Sequence, residues 1–136
     1  MKFMLDTNIV IDILSGRDGY QESLQIIKYC ELGKITCFVS AVTVTDVMYI
    51  LRKHIAPNLV RETVKTLLLI IDVACVLKGD IKSAFVSEVK DYEDAVQSAC
   101  AKRINADYIV TRNLNDFKMS SITAVSPREA LEIIAK

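Results

Sequence analysis

Short, wholly apolar runs alternate along this chain with longer stretches whose apolar residues recur every three or four positions. Residues 2–5 are a brief greasy run that stops at an acid, the mark of a buried strand. Residues 7–14 follow with Ile9, Val10, Ile13 and Leu14 at helical spacing, and Gly16 ends that helix. A second helix spans 20–32, with Leu24, Ile27 and Leu32 inward and Gly33 at its end. Residues 35–40 predict a strand, and 41–53 a helix, although Val and Thr weaken the latter by propensity. Pro57 opens a helix to about residue 70. Residues 72–77 predict the third strand, 80–89 a short helix, and 92–104 a helix with Ala95, Val96, Ala99, Cys100 and Ile104 on one side. Residues 106–111 form a strand that empties into a loop at 112–116, and 122–125 are the last strand. The final helix opens with Ser126-Pro127-Arg128-Glu129: a capping serine, a proline at the first helical position and a glutamate that reaches back. Five apolar strands alternating with helices predict an α/β fold, a parallel five-stranded sheet with helices on both faces.

Composition narrows the class. At 136 residues the chain is one domain, 1–136, large enough to fold without a disulfide or metal staple. A hydrophobic content of 51%, with 4 Gly and 2 Pro, excludes disordered, collagen-like and low-complexity proteins. Seventeen Lys and Arg balance seventeen Asp and Glu, so a globally basic coat for nucleic acid is excluded, and polyanion binding needs a local patch or bound cations. Cys30, Cys37, Cys75 and Cys100 form no CxxC pair and read as buried free thiols of a reducing compartment. The single histidine, His54, has no partner at zinc-ligand spacing and reads as a helix-end residue. The N-terminal run meets Asp6 before a signal-peptide core forms, and the greasy stretch 67–77 is interrupted by Asp72. A cytoplasmic protein without a membrane span is therefore expected.

The acids carry the chemistry. In an open parallel sheet, ligands bind beyond the carboxyl ends of the strands. Asp6 follows the first strand directly, Asn113 and Asp116 follow the strand ending at Thr111, and Ser40 leads into the helix bearing Asp46. That helix has apolar residues on both sides, which predicts that Asp46 is buried. Asp91 and Asp94 lie three apart at the start of a helix, with Ser98 continuing the stripe; the alternative reading is a solvated acidic helix start favoured by the dipole. Acids gathered at one edge repel and raise one another's pKa values, and a divalent cation relieves that repulsion. An all-oxygen ligand set without His or Cys suits Mg²⁺ or Mn²⁺ and points to phosphoryl or phosphodiester chemistry.

These segments resemble a known family. Leu5-Asp6-Thr7-Asn8-Ile9-Val10-Ile11-Asp12 is similar to the opening motif of PIN-domain ribonucleases, Asp91-Tyr92-Glu93-Asp94-Ala95-Val96-Gln97 to their third acidic motif, and the stretch from Ala106 through Thr111 to Phe117 to their last. The resemblance spans nearly the whole chain and implies a PIN-like fold, one or two Mg²⁺ or Mn²⁺ ions, and cleavage of single-stranded RNA. It further implies the toxin of a type II toxin–antitoxin pair of the VapC kind, a homodimer silenced by a small antitoxin protein.

By that resemblance Asp6 is the first metal ligand, oriented by Thr7, with Asn8 tying down the loop. Asp94 is the third acid, Asp91 its helper, and Asp116 the fourth, with Asn113 competing for that place and Thr111 in support. The second acid departs from the family: Asp46 stands where a glutamate is usual, and its carboxylate reaches one methylene less far. Arg112 and Arg17 are candidate RNA-phosphate contacts. Asp12 reads as a solvated or salt-bridged helix acid. Two rivals remain: a PIN-fold binding or scaffold protein with a weakened site, and a phosphatase using Asp6 as nucleophile. Asn8, where such a phosphatase places its second acid, argues against the latter.

Overall fold

A computed structural model describes residues 1–136. Five parallel strands lie in the order β3-β2-β1-β4-β5. In chain order they are β1 (Lys2–Leu5), β2 (Thr36–Ser40), β3 (Asp72–Ala74), β4 (Tyr108–Val110) and β5 (Ala124–Val125). The helices are α1 (Thr7–Ser15), α2 (Tyr20–Glu31), α3 (Ala41–Leu51), α4 (Pro57–Leu67), α5 (Lys78–Phe85), α6 (Tyr92–Arg103) and α7 (Pro127–Ala135), with a 3-10 turn at Leu114–Phe117. None is long and apolar enough to cross a membrane.

Alternation along β1 explains the two layers. Phe3 and Leu5 point into the larger core, which joins Ile9 of α1, Ile26 of α2, Val47 of α3 and Val64 of α4. Met4 points the other way, to Cys100, Ala101, Ile109 and Phe117 beneath α6. A central strand buried on both faces must be apolar where it is covered, and Phe3, Met4 and Leu5 before Asp6 are, with exposed Lys2 at the strand's open end. Gly16 adopts φ +67° at the end of α1, a left-handed turn that an L side chain rarely enters. Ser126 and Glu129 form the expected capping box on α7.

The chain starts in mid-sheet, winds outward through β2 to β3, then returns to place β4 against the other side of β1. The order therefore reverses between β1 and β4, and the crevice such a reversal opens lies at their carboxyl ends. Register makes this local: Leu5 pairs with Val110, so Asp6 and Thr111 emerge side by side.

Several expectations are corrected. The third strand ends at Ala74, because as an edge strand it pairs only with β2, through Asp72–Ala74. The helix after it starts at Lys78 rather than 80, since the Asp80 carboxylate accepts the Leu77 N–H and belongs to the first turn. Leu32 is 70% exposed, lying past the end of α2 as its cap. Of the four thiols, Cys37 and Cys100 are buried, Cys30 is half-buried and Cys75 is exposed.

Candidate active site

The anchor is Asp6. Its backbone N–H donates to Val110 O at 3.0 Å, continuing the sheet by one residue, and its carbonyl accepts from Ile9 N–H as α1 begins. The residue stands at the helix N-cap position, yet its side chain does not cap. Instead Oδ1 accepts from Gln97 Nε2 at 3.0 Å and Oδ2 from Thr111 Oγ1 at 2.8 Å. Thr111 Oγ1 in turn accepts the Asn113 N–H at 3.0 Å. This relay, buried at Asp6, Gln97 and Thr111, joins the ends of β1 and β4 to α6. Hydrogen bonds to both oxygens hold the carboxylate in one orientation.

Around Asp6 opens a cleft of about 530 Å³ lined by acids and amides from four segments. Asp6 and Asn8 come from the end of β1, Asp46 from α3, Asp91, Glu93 and Asp94 from the start of α6, and Asn113 and Asp116 from the loop after β4. No Lys or Arg lines it. Asp91 is fixed as the cap of α6, accepting the Asp94 N–H at 3.0 Å, and this local turn aims Asp94 inward. Tyr49, 58% exposed on α3, forms one lip, with the Arg52 guanidinium 4.0 Å from its ring centre.

The electrostatics follow from the crowding. Burial, then the charges of Asp6, Asp91, Asp116 and Glu93, push the half-buried Asp94 from 3.8 up to about 7. Burial and then Asp46, by charge and by a shared hydrogen bond, push Glu93 up as well. The acids store repulsion that a cation or protons would relieve. No three carboxylates stand in coordination geometry as the side chains lie. The donors nonetheless fit a hard divalent ion in kind: all oxygen, no His or Cys, net negative, and free of competing cations.

Sequence reasoning brought Asp6, Asp46, Asp94, Asp116, Thr7, Asn8, Asp91 and Asn113 to this cleft, and all eight line it. Details differ. Asp46 is half-exposed rather than buried, because the open side of α3 is the cleft wall itself. Thr7 does not hold Asp6: its hydroxyl meets Thr43 Oγ1 at 3.0 Å, bracing α1 against α3. Asn8 makes no side-chain hydrogen bond to the loop and faces the cleft, and Ser98 turns away to Ser120. Arg112 and Arg17, expected at RNA phosphates, instead pair with Asp12, Arg112 Nε at 2.9 Å and Arg17 at 3.7 Å. Asp12 is thus salt-bridged, but 2% exposed rather than solvated. Burial raises its pKa against the pull of both arginines. Sequence reasoning missed Gln97 and Glu93 as site residues; Gln97 could have been found, since it lies one turn after Asp94 on the same face.

A PIN domain family model matches residues 2–115. The chain belongs to the PIN-domain family. Its fold is similar to that of a chain in the crystal structure of VapBC2 from Rickettsia felis bound to a promoter DNA fragment, at 17% identity, with 93% of this chain and 98% of that one covered and a TM-score of 0.73. It is similar to a toxin–antitoxin complex from Klebsiella pneumoniae at 24% identity, covering 91% and 96%, with a TM-score of 0.69. It also resembles VapC20 of Mycobacterium tuberculosis, described as a sarcin-ricin-loop-cleaving toxin, at 11% identity, covering 79% and 86%, with a TM-score of 0.63. No curated protein sequence matches the chain.

Proposed function

We propose that the protein is a metal-dependent endoribonuclease acting on single-stranded RNA, and the toxin of a type II toxin–antitoxin module. The observation that carries this reading is the acid-lined cleft without Lys or Arg at the β1/β4 switch point, where burial and then four neighbouring carboxylates push the Asp94 pKa up to about 7. Asp6, Asp94 and Asp116 are the residues that would hold Mg²⁺ or Mn²⁺, with Asp46 reaching in from α3 and Asn113 offering an uncharged oxygen beside Asp116. Such an ion, when bound, supplies charge neutralisation at a phosphate oxygen and a water of lowered pKa for in-line attack at phosphorus, leaving a free 3′-hydroxyl.

The chain's own contribution is orientation. Gln97 and Thr111 clamp Asp6 from two sides, so its carboxylate keeps one orientation while substrate enters. Thr111 passes that order to the Asn113 backbone, which begins the loop bearing Asp116. The antitoxin partner is supported by the similar structures, described as VapBC and FitAB complexes. We place the protein in the cytoplasm as a homodimer on the same family ground.

The test is cleavage of single-stranded RNA by antitoxin-free protein, with Mn²⁺ and with EDTA. Products are expected only with metal, and Asp94→Asn should remove them while circular dichroism stays native. Metal-independent products, or equal cleavage by Asp94→Asn, would overturn the reading. One observation favours a second reading, a binding protein without hydrolysis: the carboxylates stand outside coordination geometry, and Asp46 is shorter than the family's glutamate. Under that reading Mn²⁺ would leave the melting temperature unchanged.

A further inference from the structure

The acidic cleft is one end of a longer depression. It shares Asp91, Asp94 and Asp116 with a neighbouring cavity of about 410 Å³, whose walls carry Lys90 and Lys118. That cavity shares Met119 with a third, of about 540 Å³, lying along α6 and lined by Ser83, Ser87, Ser121, Lys102 and Arg103. The three adjoin in series through these shared residues and together outline a trough along α6.

The charge eases along this trough: the second cavity sets Lys90 and Lys118 against Glu88 and the three shared acids, and the third, with Lys102 and Arg103 against Asp80, is net positive. Arg103 is committed, donating to both carboxylate oxygens of the buried Asp80 and to the Cys75 carbonyl. Lys90, Lys118 and Lys102 form no ion pair and no side-chain hydrogen bond, and all are exposed. Of the acids beyond the cleft, Glu88 stands on the wall and Asp80 is neutralised by Arg103. Arg112, next to Asn113, and Arg17 pair with Asp12, while Arg52 lies over the Tyr49 ring at the opposite lip of the cleft. A chain of zero net charge has no general attraction for a polyanion, so three unpaired lysines beside a polyacid cleft are the local patch that attraction requires. Serine hydroxyls between the lysines add donors for phosphate oxygens without adding sequence selectivity.

We propose that this trough is the track of the RNA backbone: phosphates flanking the scissile bond lie against Lys90 and Lys118, and the strand continues along α6 to Lys102 and the serines. The inference rests on the ribonuclease reading for the position of the scissile bond. The track itself is a claim about single-strand binding, which is measured without hydrolysis.

The experiment compares wild type with the triple variant Lys90→Gln, Lys102→Gln, Lys118→Gln. Fluorescence anisotropy of a labelled random-sequence single-stranded RNA in EDTA, over a range of salt, reads the track directly. Each phosphate contact contributes about 0.7 to the slope of log affinity against log salt, so the triple variant should lose about 2 from that slope and bind about a hundredfold more weakly at about 0.1 M salt. In the Mn²⁺ cleavage assay its KM should rise by a similar factor with kcat within about twofold, because the lysines hold substrate away from the reacting phosphorus. Its melting temperature and the rise produced by Mn²⁺ should match wild type.

An unchanged affinity and slope would overturn the track and leave the lysines to an acidic protein segment. Failure of wild type to bind RNA at low salt in both EDTA and Mn²⁺ would overturn it too. Lysine-dependent binding without any cleavage would sustain the track and remove the ribonuclease reading instead.

Discussion

Replacing Asp94 with asparagine should make the metal-free protein more stable, and by an amount that depends on pH. Asp94 is raised from 3.8 to about 7 by burial and by four neighbouring carboxylates. The native state therefore keeps its proton to a higher pH than the unfolded chain does, and stability is lost as pH rises from about 4 to about 7. At full strength that difference would amount to about 4 kcal/mol. Asp94 is half-exposed, and water screens its neighbours, so about 1–2 kcal/mol is the figure to expect. For a domain of this size that is roughly 3–8 °C in melting temperature. The substituted amide cannot ionise, so in EDTA at pH 8 the Asp94→Asn variant should melt higher than wild type by that amount. At pH 4 the gain should nearly vanish, because folded Asp94 is already protonated. Added Mn²⁺ should stabilise wild type and close the gap at pH 8, by binding the native state alone. Equal melting shifts at both pH values, or a loss of stability at pH 8, would refute the argument that the cleft stores charge repulsion.

Other changes test separate joints. Arg112→Gln leaves buried Asp12 with only the distant Arg17, and should cost about 2–4 kcal/mol in urea unfolding; Asp12→Asn in the same chain should restore most of it. Thr111→Val removes a donor to Asp6 and the acceptor for Asn113, and should cost about 1.5–3 kcal/mol and slow single-turnover cleavage without abolishing it. Tyr49→Ala strips the aromatic lip of the cleft and should weaken RNA binding by about 1–3 kcal/mol, with little change in salt slope. Ser126→Ala removes the α7 cap and should lower stability by about 1 kcal/mol with cleavage intact.

What the chain reveals before folding is uneven, for physical reasons. Strand β1 is apolar from Phe3 up to Asp6 because it is central, so its place and the acid at its end were legible together. The meeting of Asp6 with Asp94 was implied by the resemblance to the PIN-domain motifs; spacing alone left Asp91 and Asp94 open as an acidic helix start. The Asp12–Arg112 pair was not legible, since it joins α1 to a loop far along the chain and no periodicity records such a contact. Asp46 was misjudged because apolar neighbours on both sides of α3 imply burial, whereas the helix borders an open cleft. Gln97 lies one turn after Asp94, so its face was legible, but its bond to the buried Asp6 carboxylate joins residues far apart in the chain and only the fold reveals it.

On the proposed function, Asp6 and Asp94 bind a hard cation together and RNA cleavage depends on its occupancy. Electron paramagnetic resonance of free Mn²⁺, titrated against wild type, Asp6→Asn and Asp94→Asn while cleavage is followed in the same samples, tests it most directly. Saturable binding in wild type, loss in both folded variants, and cleavage that tracks bound metal are the predicted results. Undiminished Mn²⁺ binding by either variant, or RNA cut at full rate with no metal bound, would contradict the account.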